Sequence, residues 1–106
     1  MIKNDISPAE LDSLIEQSGA VVIDFHAAWC GPCKMFAPIF ERVAEKNADR
    51  AEFVRIDVDE VPELARRYSV KSIPTIVGIK NGETVHISSG LMNEPSFGEL
   101  IDSLAQ

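Results

Sequence analysis

Apolar positions along the chain fall into two rhythms that take turns. Leu11, Leu14 and Ile15 recur at i, i+3 and i+4, the spacing of one buried helix face. Ser7 can cap that helix, Pro8 suits its first position, Glu10 completes a capping box and Gly19 ends it. Ala20 to Phe25 then reads as a strand. Val21, Val22, Ile23 and Phe25 are apolar without alternation, so both faces should be buried. Asp24 breaks this run.

Phe36, Ile39, Phe40 and Val43 mark a second helix, with a kink expected at Pro38. Phe53 to Val58 reads as a strand, and Pro62 to Arg67 as a short helix. Thr75 to Lys80 and Thr84 to Ser88 read as two strands joined by Asn81-Gly82, the strongest short hairpin signal. After Asn93, with Pro95 in the first turn, Phe97, Leu100, Ile101 and Leu104 predict a last helix. This order, βαβ-like and then a hairpin and a helix, predicts an α/β fold with a mixed sheet covered by helices.

The 106 residues suit one domain, 1–106, with a single core. An apolar share of 45% separates the chain from disordered sequences. The formal charge of −7 is spread without blocks, which argues against nucleic acid or an anionic membrane as a partner. No apolar run approaches the roughly 20 residues of a membrane span, and the N-terminus shows no leader-like apolar core. A cytoplasmic location is the expectation.

Only two cysteines are present, Cys30 and Cys33, in Trp29-Cys30-Gly31-Pro32-Cys33-Lys34. A disulfide scaffold would use more cysteines at wider spacing, so a close pair points to chemistry. The segment connects the first long strand to the second helix. Cys30 therefore sits at a helix N-terminus, where unpaired N–H groups and the positive dipole end favour a thiolate. The thiolate is the attacking species in disulfide exchange. Cys30 is expected to attack, and Cys33, deeper in the first turn, to resolve. Gly31 is expected to let the backbone turn tightly and to let a partner approach, and Pro32, which loses no needed N–H there, to stiffen the pair.

Beyond the hexapeptide, Val21 to Asp24, Ile73-Pro74-Thr75, Lys80-Asn81-Gly82-Glu83 and Gly90 occur in an order and spacing that resemble the thioredoxin family over nearly the whole chain. The resemblance implies a thioredoxin fold, with a central mixed five-stranded sheet flanked by four helices. It implies a thiol–disulfide oxidoreductase that reduces disulfides in target proteins and is recycled by a thioredoxin reductase. No bound cofactor is expected, no metal is expected because a structural zinc site wants four ligands, and a monomer is expected. Gly-Pro between the cysteines resembles the reducing members.

The resemblance also assigns residues. Asp24 matches a buried acid beneath the second cysteine, able to accept the proton of Cys33 if burial raises its pKa. Pro74 matches a cis-proline opposite the dithiol, and the Ile73 backbone could pair with an extended target. Trp29, Gly31, Pro32, Ile73, Pro74, Gly90 and Leu91 would form the docking surface. Three positions depart from better-known members. His26 stands where many carry an aromatic residue, Arg55 where many carry a lysine near the acid, and Ser89 where an apolar residue is usual. His26, Arg55 and Lys34 are expected to tune the site. Three alternatives remain open at this point: a binding module without turnover, a metal site using the two thiolates, and an oxidant or isomerase on the same fold.

Overall fold

The computed structural model describes residues 1–106. Five strands and four helices follow the chain: β1 (Ile2–Asn4), α1 (Pro8–Gln17), β2 (Ala20–His26), α2 (Gly31–Lys46), β3 (Glu52–Asp57), α3 (Pro62–Arg67), β4 (Thr75–Lys80), β5 (Glu83–Ser89) and α4 (Glu94–Ala105). The sheet order is β1-β3-β2-β4-β5. β1 and β2 both run parallel to β3, β4 runs antiparallel to β2, and β5 runs antiparallel to β4. This is the mixed five-stranded, four-helix α/β architecture that the family resemblance implied.

β2 lies at the centre, which explains its pattern. Ala20 and Val22 join Phe53, Ile76 and the inward faces of α2 and α4 in one core. Val21, Ile23 and Phe25 join Val54, Ile56, Val77 and residues of α1 and α3 in a second core on the opposite face. A strand buried on both faces has no polar side, so it loses the usual alternation. The first core is rich in aromatics. Phe40 stacks on Phe97 at 5.4 Å, and Phe36 meets Phe97 edge-on at 5.2 Å. Such pairs bind α2 to α4 more firmly than area burial alone.

The expected boundaries need four corrections. β2 runs on to His26, one residue past the expected end at Phe25. The third strand is Glu52–Asp57, so Val58 lies past its end. The last strand is Glu83–Ser89, one residue longer at each end than its alternation suggested. The short edge strand Ile2–Asn4 had no counterpart in the residue pattern, because three residues carry no readable period. Elsewhere local chemistry sets the limits. Ser7 and Glu10 form the full capping box of α1. α2 continues through Pro38 to Lys46. Asn81 and Gly82 have φ of 50° and 82°, the left-handed pair that a two-residue hairpin requires.

Candidate active site

The site is assembled where β2 ends and α2 begins. β2 stops at His26, and Ala27-Ala28-Trp29 carries the chain from the end of this central strand to Cys30. Cys30 is the N-cap of α2, with extended backbone at φ −92°, ψ 113°. Its sulfur takes the place of the usual capping oxygen: the backbone N–H of Cys33 points at Cys30 Sγ at 3.2 Å. The N–H of Lys34 donates to the Cys30 carbonyl at 3.2 Å, closing the first turn. Cys30 and Cys33 are joined in a disulfide, their Cα atoms 5.3 Å apart. Cys33 is 1% exposed and Cys30 5%, so in the oxidised form the protein covers both sulfurs.

Of the two roles expected of Gly31, the tight turn needs correction. Its φ lies outside the left-handed region, and a Cβ built on it would meet no atom within 4 Å. No turn demands glycine there; the residue leaves open space in front of the dithiol.

A second segment reaches the dithiol from β4. The Ile73–Pro74 peptide is cis. The Ile73 carbonyl oxygen lies 3.8 Å from Cys30 Sγ. Pro74 is buried, and its carbonyl accepts the N–H of Gly90 at 2.8 Å. Leu91 follows at 43% exposure. Cys30, Cys33, Ile73, Pro74 and Gly90 are thus linked contact by contact. Trp29 projects at 70% exposure, and its indole N–H donates to Asp59 Oδ2 at 2.9 Å. Beside it, Trp29, Val58, Ala65, Val70 and Ile73 help line an open groove of about 440 Å³. Asp59, Val58, Ala65 and Val70 were not singled out from the sequence. Nothing in their local sequence ties them to the dithiol, which lies about 25 to 40 residues earlier in the chain.

Asp24 is fully buried, on the face of β2 that packs against α2 and α4. Its Oδ2 accepts from Arg55 Nε at 3.1 Å across the Asp24–Arg55 register of β2 and β3. Its Oδ1 has no hydrogen-bond partner, and neither oxygen is bonded to Cys33. Burial pushes the carboxyl up from 3.8 to about 6, against the attraction of the Arg55 cation. Burial outweighs the ion pair because the Arg55 side chain is one-fifth exposed and shares its charge with solvent.

His26 lies two residues further, opposite Asp57. Burial and then the Arg55 charge lower its pKa, while Asp57 and Asp5 oppose them. His86, on β5, contacts Ser88 Oγ at 2.8 Å. Lys34 is exposed, with no side-chain hydrogen bond or ion pair. Ser89 Oγ lies 3.0 Å from Ser72 Oγ at the β5 end. No group of three or more His, Cys, Asp or Glu converges to hold a metal ion, and no helix is long and apolar enough to cross a membrane.

This geometry invites comparison with known proteins. A family profile described as thioredoxin matches residues 3–103. The chain belongs to the thioredoxin family. Thioredoxin from Staphylococcus aureus is 40% identical over 97 residues, 92% of each chain. A solved mutant thioredoxin from Halobacterium salinarum superposes with a TM-score of 0.91 at 37% identity, covering 99% of this chain and 91% of that one. Oxidised mitochondrial thioredoxin 3 from Saccharomyces cerevisiae gives 0.88 at 36% identity, covering 97% and 95%. With the Cys30–Cys33 pair in place, the activity is thiol–disulfide exchange, and the chain is a thiol–disulfide oxidoreductase. The thioredoxin family acts on disulfide-containing targets and depends on reductase recycling.

Proposed function

We propose that the protein works as a reductant of protein disulfides, with Cys30 as nucleophile and Cys33 as resolving thiol. The observation that carries this reading is the position of Cys30. It caps α2 through sulfur, and it lies against the Ile73 carbonyl at the edge of an open groove.

In the reduced protein, the N-terminus of α2 stabilises a Cys30 thiolate. This thiolate attacks one sulfur of the target disulfide. The target S–S bond breaks, its other sulfur leaves as a thiolate, and a mixed disulfide forms on Cys30. Cys33, deprotonated, then attacks Cys30 Sγ and releases the second target thiol. Two electrons pass to the target, and Cys30 and Cys33 end as the disulfide. A thioredoxin reductase would restore the dithiol.

Asp24 takes the proton of Cys33. Burial, a carboxyl raised to about 6 and a free Oδ1 support this role. Arg55 holds Oδ2 and so leaves Oδ1 to act. During attack the target lies across Trp29, Pro32, Gly90 and Leu91, with its backbone against Ile73. The Ile73 N–H has no hydrogen-bond partner within the chain, which suits that pairing. The reducing direction suits a cytoplasmic setting, where glutathione and thioredoxin keep thiols reduced.

Trapping tests this reading directly. Cys33→Ser, with its resolving thiol removed, should accumulate mixed disulfides on Cys30 when incubated with oxidised protein substrates. A reactive Cys30 that traps nothing would overturn the division of labour.

A further inference from the structure

We propose that the hydroxyls of Ser72 and Ser89 act as a positioning pair, holding the Ile73 backbone in place for an extended target segment. This rests on the reading that targets pair with Ile73. The β4–β5 ladder ends at the pair Thr75–Ser89. Pro74 has no N–H, so the ladder cannot continue along β4 toward the dithiol. Ile73, preceding a proline, is biased away from helical backbone. Its N–H is unpaired, and its carbonyl faces Cys30 Sγ. That short stretch must be held by something other than the sheet.

Three hydrogen bonds do so. Gly90 N–H donates to the Pro74 carbonyl at 2.8 Å, fixing the stretch just after Ile73. Thr75 Oγ1 donates to the Ser72 carbonyl, which shapes the loop but ties it only to itself. Ser72 Oγ and Ser89 Oγ, 3.0 Å apart, supply the remaining link. It joins the residue just before Ile73 to the end of β5. Ile73 is thus bracketed, by Gly90 downstream and by Ser89 upstream. Both serines are exposed, so water can replace either partner and the link is modest. Its effect is to reduce the freedom that a docking target must otherwise remove. Because the two hydroxyls act as one contact, losing either should equal losing both. Ser89, which departs from the family pattern, thereby acts on the site without touching sulfur.

The test uses a peptide disulfide and its analogues N-methylated at each residue flanking the reacting cysteine. Wild type, Ser72→Ala, Ser89→Ala, the double variant and Ser72→Thr are compared in kcat and KM. The wild type is expected to discriminate against one methylated analogue. Each alanine variant is expected to raise KM for the unmodified peptide about threefold at unchanged kcat, the scale of one exposed neutral hydrogen bond. The double variant should match the singles, Ser72→Thr should match wild type, and discrimination against the methylated analogue should shrink. A wild type blind to methylation would overturn the Ile73 docking reading itself. If the wild type discriminates, then unchanged KM, loss in kcat instead of KM, or additive effects of the two serines would each overturn the positioning pair.

Discussion

Two helix starts in this protein share one local plan and use it differently. α1 begins Ser7-Pro8, and α2 begins Cys30-Gly31-Pro32; each has an extended N-cap residue whose side chain accepts the N–H three residues on. At α1 the remaining positive end is neutralised. Glu10 accepts the Ser7 N–H at 2.9 Å, and that bond, followed by the one to the Ser7 side chain, holds its carboxyl below the ordinary range. α3 and α4 also carry an acid in the first turn, Glu63 and Glu94. α2 alone carries none. A helix start whose dipole no carboxylate answers is a place where a thiolate is the stabilising anion. The same peptide geometry is thus finished for stability at α1 and left open for chemistry at α2.

The largest separation of the two roles is expected from Cys30→Ser. Serine is a good N-cap, so stability in the reduced state should stay within a few tenths of a kcal/mol or rise. Reduction of insulin disulfides should fall to the buffer background. Chemical denaturation and turnover, measured on the same sample, check both halves.

Asp24→Asn is next. The native carboxyl holds its proton up to about pH 6, whereas the unfolded one releases it near 3.8. Between those values the folded state binds more protons, so wild-type stability should fall as pH rises and then level off above 6. About two pKa units correspond to roughly 3 kcal/mol, an upper limit for the gain in Asn at pH 8, since Arg55 loses its partner. Below about pH 4 the gain should vanish. The resolving step should slow by roughly tenfold or more and lose its inflection near pH 6. Denaturant midpoints across pH and release of target thiol from a preformed mixed disulfide provide the two readings.

A smaller change makes α2 resemble α1. Gly31→Asp puts a carboxylate in the first turn, where open space receives it. The added carboxylate should disfavour the Cys30 thiolate, on the scale of a charge near a helix end, and alkylation at pH 7 should slow roughly two- to fivefold. Gly31→Ala is the neutral control and should leave alkylation close to wild type. An equal slowing in both variants would refute the charge argument.

The comparison also explains what the amino-acid pattern could reveal. Caps are local: Ser7, Glu10, Asn93 and the Asn81-Gly82 turn act within four residues, so the starts of α1 and α4 and the hairpin were legible. The apolar stripes of α2 and α4 were legible because a buried helix face repeats. β1 was not, since its pairing with β3 comes from the other side of α1 and β2. The site divides the same way. Cys30 and Cys33 announce themselves within one helical turn. The partnership of Asp24 with Arg55 lies 31 residues apart, and that of Ser72 with Ser89 crosses a hairpin. The contact of Trp29 with Asp59 likewise depends on how β3 hands the chain to α3. Such pairings become visible only when the sheet order is known, or through a family resemblance that carries it.

The smallest expected effect falls on the finished helix start. Ser7→Ala removes the oxygen that accepts the Glu10 N–H at 3.1 Å and leaves that donor to water. The expected loss is about 1 kcal/mol of stability. Glu10 keeps its own bond to the Ser7 backbone N–H, so half of the capping box survives. That surviving half depends on an ionised carboxylate with a lowered pKa, whose stabilisation is present above its unfolded pKa and lost as pH falls through the folded value. The variant should therefore remain sensitive to acid in this range, whereas Glu10→Gln should lose the sensitivity. Turnover should be unchanged in both, because α1 packs on the opposite face of the sheet from α2. Chemical denaturation across the acidic range, with insulin reduction measured alongside, tests the point. A loss of turnover in Ser7→Ala would mean that the two helix starts are coupled through the sheet.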